Sequence, residues 1–580
     1  MTPVGKTAAL LLACAVLLAC APSHAAAARL LVVPLSSESH ISAFTALSTE
    51  LETIGGHDIH MVVSQELLEA SRAAAAARSP GHRHAYLTYP LRFDLFADDM
   101  ARVGKANFIA AMFYGYRILA GLTESVIGDE KLLGQIRDLA PDLIVGDAVG
   151  AYGHWLGGKL GVPSVEFDVG TSSGMLHSGL WGGQLNPAYI PGPGTFYPST
   201  GMTLRQRCVN AATIALTKAI TYAHTNWGPI GGLSRRHGVA RPGTGPSRPL
   251  LLLVNFDWAL EPPRPVAPST HFIGPLMPRP PAPLPEDIQQ WLDGAAGDGG
   301  DGAAAEAAVT AALPVVYLSF GSSFLAPADV MPSIAALLAA CAGRARLLLR
   351  MRPQERELLD AALAARGFSP DPQGWLVRER FPQNDVLGHP KVAAFVTQGG
   401  YLSVQEAAYH GVPIVGVPLT LGQGELVQRA QDEGRGLVVP KGALMSGEVG
   451  RLAAAVLQVA PWNSSFHGKA ALTAARLKAH AVSPGQRAAD LVAYALAVPR
   501  GSGSFLHTQG QDMTWYEVIL LDVILVYLAA LAVIWLGARA ALRALLLPRR
   551  GGSGDGGRGA GRAAAAAGEG GQQGSHRKHE

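Results

Sequence analysis

Glycines, side-chain amides and two carboxylates, Asp385 and Glu406, are concentrated between Phe381 and Gln423. A strand-like apolar run ends there at Gln398-Gly399-Gly400, and a helical pattern that includes Glu406 follows. Two glycines at a strand end let backbone N–H groups approach a ligand closely, and the start of the next helix offers unpaired N–H groups to a phosphate. Glu406 could accept hydrogen bonds from ribose hydroxyls. The stretch therefore predicts a nucleotide-binding turn. The alternative is a tight turn followed by a solvated carboxylate.

The segments around this turn alternate between buried strands and helices. In the second half of the chain the strand-like runs are PVVYLSFGSS, ARLLLRM, VAAFVTQGG, VPIVGVPL and GLVVP, with the helical patterns MPSIAALLAACAG and SVQEAAYHG among them. The first half contains RLLVVPL, DIHMVVS, DLIVGD, VPSVEF and PLLLLVNF, and its segment ISAFTALSTELETIGG is helical. Such alternation is typical of parallel sheets covered by helices on both faces. The sequence therefore predicts an α/β fold made of two halves.

A proline-rich segment at residues 277–285, MPRPPAPLP, interrupts this pattern and is the predicted linker between the halves. We place the first domain at residues 29–276 and the second at residues 286–500. The glycine- and alanine-rich residues 294–312 are interpreted as a flexible surface insertion in the second domain.

Both ends of the chain carry hydrophobic segments that direct it to a membrane. Residues 1–28 contain one lysine, a short apolar core and several small residues, which is the pattern of a cleaved signal peptide. The apolar run Val518 to Ala538 is long enough to cross a bilayer, and we place the span at residues 516–538. Arginines follow it, so the basic and disordered tail, residues 539–580, should be cytoplasmic and the preceding domains lumenal.

The composition argues against two classes of function. The formal net charge is only +3, without the concentrated basic excess of nucleic-acid-binding proteins, so no nucleic-acid partner is expected. Cys14 and Cys20 lie in the signal segment, and Cys208 and Cys341 are distant from each other. Their spacing does not fit a cysteine zinc cluster, and no metal site is predicted.

The stretch from Phe381 to Gln423 resembles the signature of the UDP-glycosyltransferase family, which includes the UDP-glucuronosyltransferases. PQNDVLGHPK, the glycine pair, Glu406, YHGVPIVGVPL and Gln423 fall in the family's register, and NFDWALEPPRP, FIGPL, LPEDIQQWLDG, VVYLSFGSS and QDMTWYEVILLDVI match outside it. The similarity runs from the first strand to the membrane segment. It implies the GT-B fold, in which two Rossmann-like domains face a cleft and the second domain holds most of the donor.

The resemblance also implies roles for individual donor-binding residues. Gln383 matches the position whose amide reads the uracil edge, and Glu406 matches the carboxylate that binds ribose. Ser322 and Gly400 match positions at the diphosphate, and Gln423 matches the residue that faces the donor sugar. The other residues predicted to line the donor site are Arg380, Gln398, Gly399 and Ser403. No cofactor is implied, because the UDP-sugar is a co-substrate.

His40 and Asp147 match the family's catalytic base and the aspartate that orients it. His40 ends the loop SSESH after the first strand, and Asp147 ends the run LIVGD. A neutral imidazole is a suitable base for an acceptor hydroxyl, and a carboxylate on its other nitrogen would fix the tautomer. We expect the dipole at the helix start to make His40 resist protonation. The alternative is a histidine that only satisfies loop backbone groups.

Four positions depart from the family pattern. Arg380 replaces a tryptophan that stacks on uracil, and a guanidinium can stack in its place. Gln398 replaces a histidine, and its amide can still donate to a phosphate oxygen. Leu402 replaces a common asparagine, and Gly422 replaces the acidic residue that holds donor-sugar hydroxyls. The identity of the sugar therefore does not carry over.

Together these features predict an inverting glycosyltransferase that moves a hexosyl or glucuronosyl group from a UDP-sugar to a small lipophilic acceptor. A sterol or lipid glycosyltransferase and a catalytically impaired lumenal binding protein of the same fold are the alternatives. The segment MLHSGLWGGQLNPAYIPGPGTFYP is predicted to face the acceptor. The final residues, RKHE, resemble a retrieval signal. The predicted location is the endoplasmic reticulum membrane, as a single-pass type I protein. A second copy of the chain, in a homo-oligomer, is among the partners considered.

Overall fold

The computed structural model describes residues 27–103, 106, 108–170, 185–294, 313–321, 328–369, 371, 373–419, 422–445 and 448–546. Most of the predicted signal peptide, nearly all of the insertion at 294–312 and residues 547–580 of the predicted tail lie outside these ranges. The chain forms two compact units, Met1–Asp512 and Met513–Glu580. The first unit contains both predicted α/β halves.

Seven parallel strands among the described residues form the first sheet. They are β1 (Arg29–Val33), β2 (Asp58–Ser64), β3 (Ala85–Tyr89), β4 (Leu143–Asp147), β5 (Ser164–Asp168), β6 (Leu252–Val254) and β7 (Thr270–Phe272). Their order is β3-β2-β1-β4-β5-β6-β7. The direction in which strands are added reverses between β1 and β4, and ligands bind outside the carboxyl ends of strands at such a switch point.

A second sheet of six parallel strands is formed by later residues of the described part. Its strands are β8 (Val315–Ser319), β9 (Arg346–Arg350), β10 (Trp375–Arg378), β11 (Val392–Thr397), β12 (Ile414–Gly416) and β13 (Gly436–Val438). The order β10-β9-β8-β11-β12-β13 repeats that of the first sheet, and Ser319 pairs with Thr397 at the ends of β8 and β11. The prediction of two Rossmann-like halves is confirmed.

Helices connect the strands and cover the sheets. Those of the first half are α1 (Glu38–Thr53), α2 (Leu68–Arg78), α3 (Ala97–Val103), α4 (Phe108–Ile127), α5 (Glu130–Leu139), α6 (Tyr152–Leu160), α7 (Leu204–Asn226) and α8 (Pro229–His237). Those that follow, up to residue 512, are α9 (Glu286–Asp293), α10 (Met331–Cys341), α11 (Pro353–Ala365), α12 (Gln383–Leu387), α13 (Tyr401–His410), α14 (Gln423–Asp432), α15 (Lys441–Met445), α16 (Arg451–Val459), α17 (Ser465–Lys478) and α18 (Pro484–Ala497).

Both faces of each sheet are buried, because successive residues of a strand point to opposite faces. In β1, Leu30 and Val32 belong to the core beneath α1, whereas Leu31 and Val33 belong to the core beneath α5 and α6. All four side chains are fully buried. This two-sided burial explains why the strands are continuous apolar runs in the sequence.

Three strands were not predicted, and one helix begins earlier than expected. Strand β3 is largely half-buried, β7 has three residues, and β10 is mostly half-buried, so none is a strongly apolar run. Helix α1 begins at Glu38 because the Ser37 side chain caps it by accepting a hydrogen bond from the His40 backbone N–H. His40 therefore lies inside the first helical turn and does not end a loop.

Helix α18 lies within the stretch assigned to the second domain but packs against the first sheet. Ala488, Ala489, Val492 and Ala495 are buried in the same core as Leu30 and Phe44. The domain boundaries at residues 29–276 and 286–500 stay a prediction. Helix α18, which begins at Pro484, packs in the core of the first half although its sequence lies in the second predicted domain.

The predicted linker, residues 277–285, is held against the second half by Asp385. The Asp385 carboxylate forms an ion pair with Arg279 at 3.0 Å and accepts a hydrogen bond from the Ala282 backbone N–H at 2.9 Å. The Arg279 backbone N–H donates to the Asn384 side chain. Because both acceptors belong to α12, the linker is fixed beside Gln383, the first residue of that helix.

The second unit contains α19 (Trp515–Val518) and α20 (Leu521–Leu546). Helix α20 has a mean hydropathy of 2.3 over its most apolar window and is long and apolar enough to cross a membrane. Leu520 has a left-handed backbone with φ of 56°, which separates the two helices. The apolar helix starts five residues later than the predicted span.

Candidate active site

His40 and Asp147 are brought together at the switch point of the first sheet. His40 lies in the first turn of α1, which follows β1, and Asp147 is the last residue of β4, the strand beside β1. The distance between His40 Nδ1 and Asp147 Oδ2 is 2.6 Å. Since the two residues follow adjacent parallel strands, the fold places them at the edge where ligands bind.

The Asp147 carboxylate is rigidly oriented by the backbone. Oδ2 accepts a hydrogen bond from the Leu35 N–H at 3.0 Å, and Oδ1 accepts one from the Val149 N–H at 3.0 Å. Its side chain is 0% exposed, whereas the side chain of His40 is 19% exposed. The bond at Nδ1 makes that nitrogen the donor and leaves Nε2 as the basic nitrogen of the neutral imidazole.

The pKa of His40 is raised above its ordinary value. Burial favours the neutral ring and would lower this pKa, but the charge and the hydrogen bond of Asp147, together with the charge of Asp168, raise it by more. The direction is opposite to the expectation that His40 resists protonation, because the two carboxylates raise the pKa of His40 by more than burial lowers it. Asp168 ends β5, next to β4, and was not identified from the sequence.

The turn at the end of β11 approaches the end of β8 closely. Gly321 has φ of 76°, and a Cβ atom on it would lie 2.5 Å from Gln398 Nε2. Gly399 has φ of 88°, and a Cβ there would lie 2.5 Å from Val427 Cγ1. Glycine is thus required at both positions. Gln398 is 9% exposed and its Oε1 atom has no hydrogen-bond partner among the described residues. Ser322 lies outside the described residues.

Gln383, Ser403 and Glu406 form one hydrogen-bonded group. Gln383 Nε2 donates to Glu406 Oε2 at 2.5 Å and to Ser403 Oγ at 3.0 Å. Glu406 is 8% exposed. Burial raises the pKa of its carboxyl to about 7 and the charge of Asp385 adds to this, although the Gln383 hydrogen bond acts in the opposite direction. Gln383 and Glu406 were predicted to hold the nucleoside and Ser403 to line the donor site, and the Gln383 amide links the three. Gly400 is the N-cap residue of the helix that carries Ser403 and Glu406.

Gln423 and Arg380 occupy different environments. Gln423 is the first residue of α14, and its side-chain oxygen accepts a hydrogen bond from the Leu419 N–H at 2.9 Å. Arg380 is exposed and forms no hydrogen bond or ion pair with the described part of the chain. The predicted stacking of the Arg380 guanidinium on uracil therefore stays a prediction.

Helix α13 also contacts the carboxyl edge of the first sheet. Gln405 Nε2 donates to the Asn255 backbone carbonyl at 2.6 Å, and Asn255 follows β6. Gly170 follows β5 so closely beside α13 that a Cβ on it would lie 3.2 Å from Tyr401 Cβ. The helix that carries Glu406 therefore borders the edge where His40 and Asp147 lie. Neither Gln405 nor Asn255 was identified from the sequence, since each depends on a contact about 150 residues away.

In the described ranges no three His, Cys, Asp or Glu side chains are grouped so that they could hold a metal ion. The titratable groups of the predicted site are His40, Asp147 and Asp168 at the edge of the first sheet, and Glu406 on α13 in the second half. The His40 imidazole can accept a proton, and the Gln383 amide and the Glu406 carboxylate can form hydrogen bonds with hydroxyl and amide groups of a ligand.

A family model described as UDP-glucoronosyl and UDP-glucosyl transferase matches residues 28–545. Among curated proteins, 2-hydroxyacylsphingosine 1-beta-galactosyltransferase of Rattus norvegicus is 25% identical over 444 residues, which are 73% of this chain and 72% of the relative. UDP-glucuronosyltransferase 2A2 of Homo sapiens is 26% identical over 425 residues, which are 70% of each chain.

Solved structures with the same fold include two glycosyltransferases. A UDP-glucosyltransferase from Polygonum tinctorium capable of glucosylating indoxyl has a TM-score of 0.55 at 18% identity, and the match covers 82% of this chain and 99% of that one. The glycotransferase of kitacinnamycin has a TM-score of 0.51 at 19% identity, covering 81% and 99%. The two sheets thus form the GT-B arrangement predicted from the sequence.

Proposed function

Since this chain belongs to the UDP-glucoronosyl and UDP-glucosyl transferase family and is a UDP-glycosyltransferase, we propose that it transfers a hexosyl or glucuronosyl group to a lipophilic acceptor with inversion. The observation that carries the proposal is the 2.6 Å contact between His40 Nδ1 and Asp147 Oδ2 at the switch point of the first sheet. A histidine held in this way beside the donor-binding half is suited to activate a hydroxyl.

In the proposed reaction His40 Nε2 takes the proton of the acceptor hydroxyl. The hydroxyl oxygen bonds to the anomeric carbon as the bond from that carbon to the diphosphate oxygen breaks, and UDP leaves with the electron pair. A single displacement from the opposite face inverts the anomeric configuration. Asp147, fixed by the Leu35 and Val149 N–H groups, stabilises the imidazolium that forms.

The donor is proposed to lie along the start of α13. The unpaired N–H groups after Gly400 and the positive end of the helix would stabilise the charge of the leaving diphosphate, and Gln398 would donate to it from the end of β11. Gln383 and Ser403 would contact the nucleoside, and Glu406 would accept from the ribose hydroxyls. The proposal needs no metal and no cofactor, because the helix N-terminus and Gln398 would stabilise the negative charge of the leaving diphosphate.

The acceptor is proposed to enter beside the segment MLHSGLWGGQLNPAYIPGPGTFYP, whose described part contacts α14. Phe196 lies against Gly424, where a Cβ would be 2.0 Å from the ring. Directly after the segment, Ser199 Oγ accepts a hydrogen bond from Arg429 at 2.8 Å. Helix α14 begins at Gln423, so the segment borders the place predicted for the donor sugar. One curated relative is named for a galactosyl transfer to an acylsphingosine, which supports a lipid acceptor, and a sterol or small lipophilic alcohol fits the same chemistry.

We propose that the enzyme is a single-pass type I protein of the endoplasmic reticulum membrane, with α20 as the span and the catalytic unit in the lumen. Support comes from the apolar helix Leu521–Leu546 and from the arginines that follow the predicted span. Protease added to intact microsomes should remove only the cytoplasmic tail. Digestion of the catalytic unit in sealed vesicles would contradict this topology.

The proposed activity is tested with the purified full-length protein in detergent or nanodiscs. It is incubated with UDP-glucose, UDP-galactose and UDP-glucuronate and with a panel of lipophilic alcohols, sterols and ceramides, and release of UDP is followed. The anomeric configuration of the product, read by NMR, decides between inversion and retention. Binding of UDP without release from any donor and acceptor pair would instead favour a binding protein of the same fold.

A further inference from the structure

The turn between α16 and α17 carries a recognition sequence that the proposed reaction does not use. Asn463, Ser464 and Ser465 form the pattern Asn-X-Ser, and no other Asn-X-Ser or Asn-X-Thr triplet occurs in the 580 residues. In a protein that enters the secretory pathway this pattern is the acceptor for an N-linked glycan. Because so short a pattern also arises by chance, the structure of the turn decides whether it can be used.

We propose that Asn463 is the attachment site of an N-linked glycan. The inference rests on the lumenal topology of the proposed function, because the co-reactant, an oligosaccharide on a lipid pyrophosphate, is consumed on that side of the membrane. The Asn463 amide nitrogen bonds to the anomeric carbon of the first sugar as the bond from that carbon to the pyrophosphate oxygen breaks. The lipid pyrophosphate leaves with the electron pair, and the amide nitrogen loses one proton.

The two residues that the pattern requires are accessible. Asn463 and Ser465 are both exposed, and the neighbouring Trp462 is 50% exposed. Neither the Asn463 side chain nor the Ser465 side chain forms a hydrogen bond or an ion pair with the described residues. The amide nitrogen and the hydroxyl two residues later are therefore open to a glycosylating enzyme, and a glycan on this turn displaces no contact within the protein.

The middle residue of the triplet, in contrast, fixes the turn. The Ser464 hydroxyl donates a hydrogen bond to the Val459 carbonyl oxygen at 2.8 Å, and the Ser464 backbone N–H donates to the Pro461 carbonyl oxygen at 2.8 Å. These bonds join the last residue of α16 to the N-cap residue of α17. Since the pattern accepts any middle residue except proline, this structural task does not interfere with recognition of Asn463.

The turn lies on the side of the second sheet opposite the predicted donor site. A Cβ on Gly434, which precedes β13, would lie 3.6 Å from Lys469 Cγ near the start of α17. A Cβ on Gly411, which precedes β12, would lie 3.5 Å from Ala471 Cα. Because β11, β12 and β13 are parallel, these contacts mark the edge at which the strands begin. Gln398 follows β11 at the other edge, where ligands bind. A glycan at the start of α17 therefore leaves the donor site open.

The test uses the full-length protein translated into sealed microsomes. Treatment with an amide-cleaving N-glycosidase should increase its electrophoretic mobility in one step, because the sequence contains one acceptor triplet. The glycosidase should act on the folded protein, since Asn463 is exposed. Cleavage leaves an aspartate at the glycosylated position, which mass spectrometry of the peptide locates. Unchanged mobility, or an unmodified peptide around Asn463, would overturn the proposal.

Two serine variants separate recognition of the pattern from the structure of the turn. Ser465→Ala removes the required hydroxyl and breaks no hydrogen bond with the described residues, so it should abolish the mobility shift as Asn463→Gln does. Ser464→Ala is the matched control. It breaks the bond to Val459 but leaves the pattern intact, so the shift should remain. A shift that persists in Asn463→Gln or in Ser465→Ala would refute the assignment.

The position of the glycan is tested by donor binding. The Kd for UDP in Asn463→Gln should lie within roughly twofold of the wild-type value, as expected for a change at an exposed position away from the ligand. Titration calorimetry on both purified proteins measures it. A larger difference would contradict the placement of the glycan on the side opposite the donor site.

Protease protection on the same microsomes separates failure of this inference from failure of the proposed function. If the catalytic unit is protected from protease but carries no glycan, the inference fails and the proposed topology stands. If the protease digests the unit and no glycan is present, both fail. A glycosylated protein that releases no UDP from any donor and acceptor pair would reject the proposed transferase activity alone, because the mobility shift requires no turnover.

Discussion

The Gln383 amide donates directly to the Glu406 carboxyl, with 2.5 Å between the two atoms. The two residues lie on different helices and are predicted to contact different parts of the nucleoside. Ser403 receives a second hydrogen bond from the same amide. The group is therefore held together by side chains of the protein itself, and burial raises the pKa of its Glu406 carboxyl to about 7.

Glu406→Ala should weaken binding of UDP, whichever sugar is attached, because ribose is common to all these donors. A charge-assisted hydrogen bond contributes roughly 1.5–3 kcal/mol, so the Kd should rise roughly ten- to 150-fold. Isothermal titration with free UDP measures the change. Glu357→Ala, at an exposed position of α11, is the matched control and should bind as the wild type does. Wild-type affinity in Glu406→Ala would remove Glu406 from the site.

Binding of a UDP-sugar should strengthen as the pH rises from 6 to 8. Burial raises the pKa of Glu406 to about 7, so the carboxyl is mostly protonated at pH 6 and mostly ionised at pH 8. The ionised form is the better acceptor for ribose hydroxyls. With binding limited to that form, affinity should rise roughly tenfold over this range. Titrations without acceptor follow it, and Glu406→Gln should be nearly independent of pH. A flat profile in the wild type would contradict the prediction.

His40→Ala should abolish transfer and leave donor binding nearly unchanged. Loss of a general base lowers the rate by roughly a hundred- to ten-thousandfold, and His40 belongs to the first half of the chain. Turnover and UDP affinity are measured on the same preparation. His82→Ala, in the loop before β3, is the control histidine and should retain turnover. Near-normal turnover in His40→Ala would exclude His40 as the base.

Asp147→Asn should move the acidic limb of the activity profile to lower pH. In the folded protein the pKa of His40 is raised, because the charges of Asp147 and Asp168 outweigh burial. The active neutral form is therefore lost as the pH falls through that raised pKa. Without the Asp147 charge the pKa of His40 falls, so the residual activity persists to lower pH, although turnover itself should drop by more than tenfold. The readout is kcat/KM against pH, and an unmoved limb would separate Asp147 from the titration of His40.

The sequence predicted those strands whose burial on both faces gives a continuous apolar run. The strands that carry the site are buried on both faces, so RLLVVPL and VAAFVTQGG are continuous apolar runs. The half-buried strand β3 has no such pattern and was missed. The identity of the donor-binding residues came from a family resemblance, and their roles stay predictions.

Contacts between distant residues were beyond the reach of the sequence. Asp147 is the main cause of the raised pKa of His40, and the charge of Asp168, which is 128 positions after His40, adds to it unannounced by any motif. The hydrogen bond from the Tyr401 hydroxyl to the Gly422 carbonyl depends on how α13 and α14 pack, and neither residue alone indicates it. In both cases tertiary packing, and not local propensity, determines the chemistry.

The return of α18 to the first sheet has a consequence for synthesis of the protein. Buried residues Ala488 to Ala495 complete the core that α1 and β1 begin, so this core stays incomplete until nearly 500 residues have been translated. A domain that awaits a late segment exposes apolar surface to its surroundings in the meantime. We expect molecular chaperones to hold the nascent first half through most of translation. A chain that ends before Pro484 should remain bound to them and fail to leave the quality-control machinery.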